Sequence, residues 1–357
     1  MIAEKKTLNY PQLRKLIMDD SKKKGILREV VFEITNLCNY NCQFCYVHDS
    51  CGTFMPIDRF CRLIDEARDM GCLWLTLTGG EPLMHPDFFR MLEYAARHIK
   101  QIVIFTNASL IDDNTAAKFK DHGVQVEVSL YGFNRESYES YVGITGAFRA
   151  FEKGLDLLKS YNVDCILKTS ITNRNIQWLD RLKEYAYLKG CKYKFDPSTL
   201  IRMTLGNKKA SKEERLSPSE SASLLANDKN ICKEVIRLIE QNSFNNDLYN
   251  CNGGITTCLI SSDLHMSYCV AVREPYYDLH NNKSNLNEAH EWLMKQRIDK
   301  LMPNNKCFDC KYRPICRYCP GRFETETGSQ RVPPQWNCDF GHILLSQALD
   351  NILKEKG

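Results

Sequence analysis

The sequence predicts an α/β fold, a partial (β/α)6 TIM-like barrel followed by a small, loop-rich, metal-stapled C-terminal domain. Three observations predict it. Short β-branched runs alternate with helical patterns six times between about residues 30 and 198. A chain of 357 residues is long enough for one domain of barrel size with an appendage. Eight of the 17 cysteines fall between Cys251 and Cys338, where helical periodicity is sparse.

Residues 30–35 (VVFEIT) read as the first strand. A helix over 57–70 has Asp58 near its start and Gly71 at its end. Strands at 73–77, 102–106, 124–130, 163–171 and 192–196 alternate with helices at 87–98, 112–122, 146–161 and 176–189. Asp112 and Asp113 read as helix N-caps. Six units fall short of a closed eight-unit barrel, so the sheet stays open on one side. The polar run 206–218 reads as a linker, 219–241 as one helix and 343–353 as a closing helix. The expected divisions are an N-terminal segment (1–27), the core barrel (28–200), a linker with a bridging helix (201–250), a cysteine-rich domain (251–340) and a C-terminal helix (341–357).

Hydrophobic residues make up 43% and charged residues 26%, ordinary for a globular protein. No apolar run approaches the roughly 20 residues that span a bilayer, and the polar N-terminus has no signal-peptide core. The expected location is therefore cytoplasmic, with no membrane partner. A net charge of +4, with no basic block beyond Lys22–Lys24, argues against a nucleic-acid partner.

An odd number of cysteines without an export signal points to metal or cluster ligation rather than disulfides. Six scattered ones (Cys51, Cys61, Cys72, Cys165, Cys191, Cys232) read mostly as small buried apolar side chains. Cys38, Cys42 and Cys45 follow the first strand with spacing C-x3-C-x2-C, and Phe44 precedes the last. Three thiolates can hold three irons of a cubane and leave the fourth open, whereas structural clusters use four. Zinc with His48 as fourth ligand is the alternative. Thr78-Gly79-Gly80-Glu81-Pro82 follows the second strand. Its glycines allow a close backbone approach to a ligand, and its carboxylate suits the ammonium of an amino acid. Both motifs lie at C-terminal strand ends, the face where α/β barrels place their sites.

This pair of motifs resembles the radical S-adenosylmethionine (SAM) superfamily over about residues 28–198. The resemblance implies a [4Fe–4S] cluster on Cys38, Cys42 and Cys45 whose open iron chelates the amino and carboxylate groups of SAM. It places Gly79, Gly80, Glu81 and Pro82 against the methionyl part, Asn107 and Ser129 near SAM, and Phe44 near the adenine. Asn and Ser at strand ends are also common as turn or cap residues. The implied activity is reductive cleavage of SAM to a 5′-deoxyadenosyl radical that abstracts hydrogen from substrate. A flavodoxin- or ferredoxin-type electron donor would be a partner.

The downstream spacing is Cys251-x6-Cys258-x10-Cys269, then Cys307-x2-Cys310-x5-Cys316-x2-Cys319, then Cys338. Eight thiolates make two four-ligand sites, suited to zinc or iron–sulfur alike. A local reading groups Cys307, Cys310, Cys316 and Cys319 as one knuckle. The pattern also resembles the SPASM extension, which carries two auxiliary [4Fe–4S] clusters. By that resemblance Cys251, Cys258, Cys269 and Cys319 bind the first, and Cys307, Cys310, Cys316 and Cys338 the second. Two features depart from the usual pattern: only two residues separate Cys316 from Cys319, and Leu264 stands where a glycine is usual. Cys258 also reads as a strand residue, which would leave the first auxiliary cluster open.

SPASM proteins mostly modify peptides or proteins. The expected substrate is thus a ribosomally synthesised peptide, oxidatively modified or crosslinked. About 28 residues precede the first strand, too few for a leader-binding domain, so a separate leader-binding partner or recognition by the barrel rim is expected. Anaerobic sulfatase maturation is an alternative; those enzymes carry an acidic residue after the cysteine matching Cys269, where Val270 and Ala271 stand here. A small-molecule dehydrogenase and a non-catalytic cluster or zinc protein complete the alternatives. No general base stands out. Tyr131, Glu127 and His85 lie near strand ends and Lys168 faces the barrel interior, and each has an ordinary structural reading.

Overall fold

The computed structural model describes residues 9–42, 45, 47, 52–197, 214–241, 246–281, 283–297 and 300–354. An amphipathic helix, α1 (Tyr10–Lys24), comes first. Asn9 and Gln12 form its capping box, and Gly25 ends it at φ +66°. The expected N-terminal segment thus holds a helix. Its first turns reach the barrel: Trp74 Nε1 donates to Tyr10 Oη at 2.7 Å, and Arg14 pairs with Glu29 at 2.8 Å.

Six parallel strands follow: β1 (Glu29–Thr35), β2 (Trp74–Gly79), β3 (Gln101–Thr106), β4 (Gln125–Ser129), β5 (Asp164–Ser170) and β6 (Lys192–Asp196). The helices between them are α2 (Ile57–Asp69), α3 (Phe88–His98), α4 (Asp113–Asp121), α5 (Arg135–Val142), α6 (Ala147–Ser160) and α7 (Leu179–Leu188). Of these, α5 falls in a stretch to which the sequence pattern assigns no element; Asn134 and Ser137 cap it reciprocally. The core lies between sheet and helices, where Phe32 of β1 meets Phe60 of α2 edge-on at 5.1 Å and both are fully buried.

The expected bridging helix is two, α8 (Pro218–Ala226) and α9 (Lys229–Gln241). Asp228 breaks the run, its carboxylate accepting the Asn230 N–H at 2.8 Å. Two short helices, α10 (Leu286–Gln296) and α11 (Pro320–Thr327), sit inside the cysteine-rich region. The closing helix α12 (Gln335–Leu353) starts earlier than its apolar pattern suggests and packs Phe340 and Leu344 against α8 and α9. Among the described residues, no helix is long and apolar enough to cross a membrane.

The largest difference from expectation lies at the sheet edge. Strands β7 (Thr257–Ile260), β8 (His265–Ser267) and β9 (Tyr277–Asp278) extend the barrel sheet to nine, in the order β6-β5-β4-β3-β2-β1-β7-β8-β9. β7 runs parallel to β1, with Val30 opposite Cys258 and Phe32 opposite Ile260. The C-terminal region therefore shares its sheet with the barrel. Arg273 fastens the seam, donating to both carboxylate oxygens of Glu33 at 2.9 and 2.6 Å. Glu33 is buried, whereas the Arg273 side chain is 34% exposed. Arg273→Ala should therefore cost about 2 kcal/mol, less than the 3–5 kcal/mol for breaking a fully buried pair. Anaerobic denaturant unfolding checks this; an unchanged midpoint refutes it.

Candidate functional site

The Cys38–Cys45 loop leaves β1 and is tied on three sides. On one, Asn39 donates to Ser109 Oγ at 2.8 Å and accepts from Asn107 Nδ2 at 2.9 Å, which binds the loop to the end of β3. On another, the Asn41 N–H donates to the Val142 carbonyl at 3.1 Å, reaching α5. On the third, the N–H groups of Gly80 and Glu81 donate to the carbonyls of Thr35 and Leu37 at 2.9 and 2.7 Å. That last contact explains the glycines. A Cβ at Gly79, whose φ is +134°, would lie 2.0 Å from the Thr35 oxygen, and one at Gly80 2.0 Å from the Leu37 oxygen. The pair lets strand β2 close onto the backbone of the cysteine loop.

Glu81 and Pro82 are buried beside these contacts. Glu81 is fully buried and its carboxylate faces protein: it accepts Thr106 Oγ1 and Asn107 N–H, both at 2.8 Å, and the Leu83 N–H at 3.2 Å. It welds the ends of β2 and β3 together. Burial pushes its carboxyl up to about 7, while those three donors favour the ionised form. Pro82 is buried in the turn beside it.

A cavity of about 460 Å³ opens at the C-terminal strand ends, within the roughly 300–1,000 Å³ range of small-molecule sites. Cys38, Cys42, Cys45, Gly79, Gly80, Asn107 and Ser129 line it together. Phe44, also expected here, lies outside the described residues, as do His48 and Cys51. Of the acid–base candidates, Glu127, Tyr131 and Lys168 reach the cavity. His85 does not: its Nδ1 accepts the Asp87 N–H at 3.1 Å, so Nε2 carries the proton toward the Met55 carbonyl at 2.9 Å.

Sequence reasoning missed Lys194 and Asp196, which join the cavity wall from the end of β6. Lys194 stands opposite Lys168 in the β5–β6 ladder, and Glu127 lies between them, 2.6 Å from Lys168 Nζ and 3.6 Å from Lys194 Nζ. The Lys168 ammonium also sits 4.4 Å above the Phe105 ring. Only the strand pairing brings these charges to one wall, since no local motif marks them.

The donor set fits an iron–sulfur cluster. Burial pushes the Cys38 thiol up to about 11, and the charges of Glu81 and Cys45 push the same way. Burial also raises Cys42, again with its two sister thiols. The Tyr40 N–H donates to Cys38 Sγ and the Val47 N–H to Cys45 Sγ, both at 3.4 Å. Two buried thiols that resist ionisation, with Cys45 as a charged neighbour of both and N–H donors on Cys38 and Cys45, suit a shared cationic partner.

Residues 32–186 match the family model of the radical SAM superfamily. They form a radical SAM domain. Curated relatives include the AdoMet-dependent heme synthase of Methanosarcina barkeri (strain Fusaro / DSM 804), 29% identical over 44% of this chain and 47% of that protein. Another is the antilisterial bacteriocin subtilosin biosynthesis protein AlbA of Bacillus subtilis (strain 168), 29% identical over 41% of this chain and 33% of that protein. The chain thus matches about half or less of the length of these relatives. Among solved structures, Streptococcus suis SuiB bound to S-adenosylmethionine superposes with a TM-score of 0.64 at 18% identity, covering 94% of this chain and 82% of that one. Native anSMEcpe with bound AdoMet gives 0.67 at 18% identity, covering 92% and 98%. These likenesses show a shared fold. Radical SAM domains use a [4Fe–4S] cluster and SAM, so Cys38, Cys42 and Cys45 are the residues that would hold the cluster here, with the cavity beside them for SAM.

The downstream cysteines fall into groups. Burial pushes the Cys269 thiol up to about 11, and Cys319 and Cys251 push it further. Burial pushes Cys316 up to about 12, with Cys307, Cys310 and Cys338 as its charged neighbours; Cys307 has Cys310 and Cys338 beside it. The structure thus sets Cys338 of α12, rather than Cys319, beside the Cys307–Cys316 loop. Cys319 caps α11, and Gly321 lets that helix press on the Cys269 loop: a Cβ there would lie 2.2 Å from the Ala271 oxygen. Cys258 is not brought to its expected group. It is fully buried on β7, its burial holds the thiol well above the usual range, and its charged neighbours are Cys72 and Glu29. Leu264 takes φ +60°, a left-handed backbone that favours glycine, at the position where the SPASM pattern has one.

Proposed function

We propose that this chain is a radical SAM enzyme of the SPASM type that oxidatively modifies or crosslinks a ribosomally synthesised peptide. The observation that carries the reading is the strapped three-cysteine loop at the mouth of a cavity of about 460 Å³. When bound, SAM and its cluster supply a 5′-deoxyadenosyl radical after one-electron reduction, and auxiliary clusters supply an acceptor for the electron that the substrate radical gives up. The chain's own residues do the rest. Gly79 and Gly80 hold the cysteine loop in place. Asn107 and Ser129 offer polar groups to SAM. The wall of Lys168, Glu127 and Lys194 orients a charged group in the cavity. The donor of the incoming electron would be a flavodoxin- or ferredoxin-type protein.

Cys251, Cys269 and Cys319 would hold the first auxiliary cluster and leave one iron open; Cys307, Cys310, Cys316 and Cys338 would hold the second. Anaerobic reconstitution should then load about 12 iron and 12 sulfide per chain, three cubanes of four each. Cys251→Ala, Cys269→Ala and Cys319→Ala should each remove about four. Cys258→Ala should leave the iron count unchanged and cost only stability, about 1 kcal/mol for a small buried side chain. Zinc in the downstream region with only the first cluster's iron would overturn the SPASM reading, and iron loss in Cys258→Ala would overturn its exclusion.

Peptide as substrate is supported by named relatives: subtilosin biosynthesis protein AlbA, PqqA peptide cyclase and mycofactocin maturase MftC. A second reading, a tetrapyrrole, has support from the heme synthase relative and from the paired Lys168 and Lys194, which suit substrate carboxylates. Deuterated candidates separate the two. A deuterated precursor peptide should pass deuterium into 5′-deoxyadenosine; transfer from a deuterated porphyrin and none from peptides would reverse the choice. Sulfatase maturation is disfavoured by Val270 and Ala271 after Cys269.

A further inference from the structure

We propose that His265, Asp278 and His280 form a surface site for a zinc-type divalent cation, separate from all the cysteine groups. One ligand atom from each lies within 4.8 Å of the other two. Two histidines and a carboxylate suit zinc and its first-row neighbours, with water completing the shell at an exposed site.

The residues come together through the β8–β9 ladder, in which His265 stands directly opposite Asp278 and His280 follows two residues later. Each is held by its surroundings. The His265 ring stacks on Tyr276 at 3.9 Å and 23°. Its Nδ1 lies 3.2 Å from Asp263 Oδ2, which leaves Nε2 to face a metal. A carboxylate behind a histidine in this way fixes tautomer and orientation in metal sites. The Asp278 carboxylate accepts the His280 N–H at 2.8 Å and sits 2.6 Å from its Nδ1. The carboxylates of Asp263 and Asp278 lie beside the two imidazoles and supply negative charge for a dication. No thiol is part of the group, so the cation is chosen by nitrogen and oxygen donors.

The position gives the site a consequence. The loop between β8 and β9 carries Cys269 and Arg273, the latter paired with Glu33 of β1. A cation joining His265 to Asp278 and His280 staples the two feet of that loop and so braces the Cys269 thiol from outside. This rests on the hairpin alone and stands whether or not the peptide reading holds.

Equilibrium dialysis of the reconstituted full-length holoprotein against zinc chloride, followed by metal analysis, tests it. About one zinc per chain should bind beyond the thiolate background. His265→Gln and His280→Gln should lose that zinc with iron and sulfide content unchanged. Asp263→Asn, which keeps all three ligands, should weaken binding about tenfold, the scale of outer-shell losses. Zinc should slow amide hydrogen exchange over residues 268–276 in the parent protein and not in His280→Gln. No zinc beyond the background, or equal uptake by the His→Gln variants, would overturn the proposal.

Discussion

Cys42→Ala is expected to abolish formation of 5′-deoxyadenosine under reducing conditions and to lower the iron content by about four per chain. Cys42 is the middle thiol of the loop, and its charged neighbours are Cys38 and Cys45. Two thiols remain in the variant, too few to hold a cubane against solvent. Among the described residues of the cavity wall the other donors are oxygens and amines: Asn107, Ser129 and Thr78 carry neutral oxygens and Glu127 and Asp196 hard carboxylates, all poorer partners for iron–sulfide than a thiolate. The same loss should follow Cys38→Ala and Cys45→Ala. The downstream cysteines belong to other groups, so their iron should stay. Chromatography of the products and iron analysis measure both; SAM cleavage retained by any of the three variants would sink the assignment.

Gly80→Ala is expected to lower SAM cleavage at least 100-fold without deleting a ligand. The added methyl would meet the Leu37 carbonyl oxygen at 2.0 Å and the Asn36 oxygen at 3.0 Å. These are backbone atoms of the cysteine loop, so no side chain can swing aside. The loop must shift by about an ångström or more, and misplacement on that scale costs about 100-fold in rate. The hydrogen bond from the Gly80 N–H to Thr35 would break with it. SAM cleavage per iron-loaded chain, with circular dichroism as a check on folding, reads the effect. Activity close to that of the parent protein would mean that the strand end has room the structure denies it.

The barrel was readable because parallel strands buried on both faces leave dense apolar runs, each followed by an amphipathic helix. Phe32 and Ile34 of β1 and the buried run of β2 are examples. β7 is barely legible because a strand of four residues leaves too short a pattern, and Cys258 reads both as a strand residue and as a ligand. The Gly-Gly-Glu motif was legible as a site marker, yet its physics was not. Whether the glycines face a ligand or the cysteine loop depends on how β2 meets β1. The burial of Glu81 depends likewise on Thr106 and Asn107, which lie some 25 residues away. Spacing alone leaves Cys319 and Cys338 as alternatives beside Cys307 and Cys316; the resemblance to the SPASM extension favours Cys338, and physically the grouping turns on where α12 docks.

The pairing of β7 with β1 has a consequence for how the molecule holds together. Without β7, the row of N–H and C=O groups along β1 would stand bare beside Phe32 and Ile34, ready to recruit another chain. Severing the polypeptide ahead of Thr257 would thus leave 256 residues with an adhesive sheet edge. The first and last thirds of the chain complete one another's sheet.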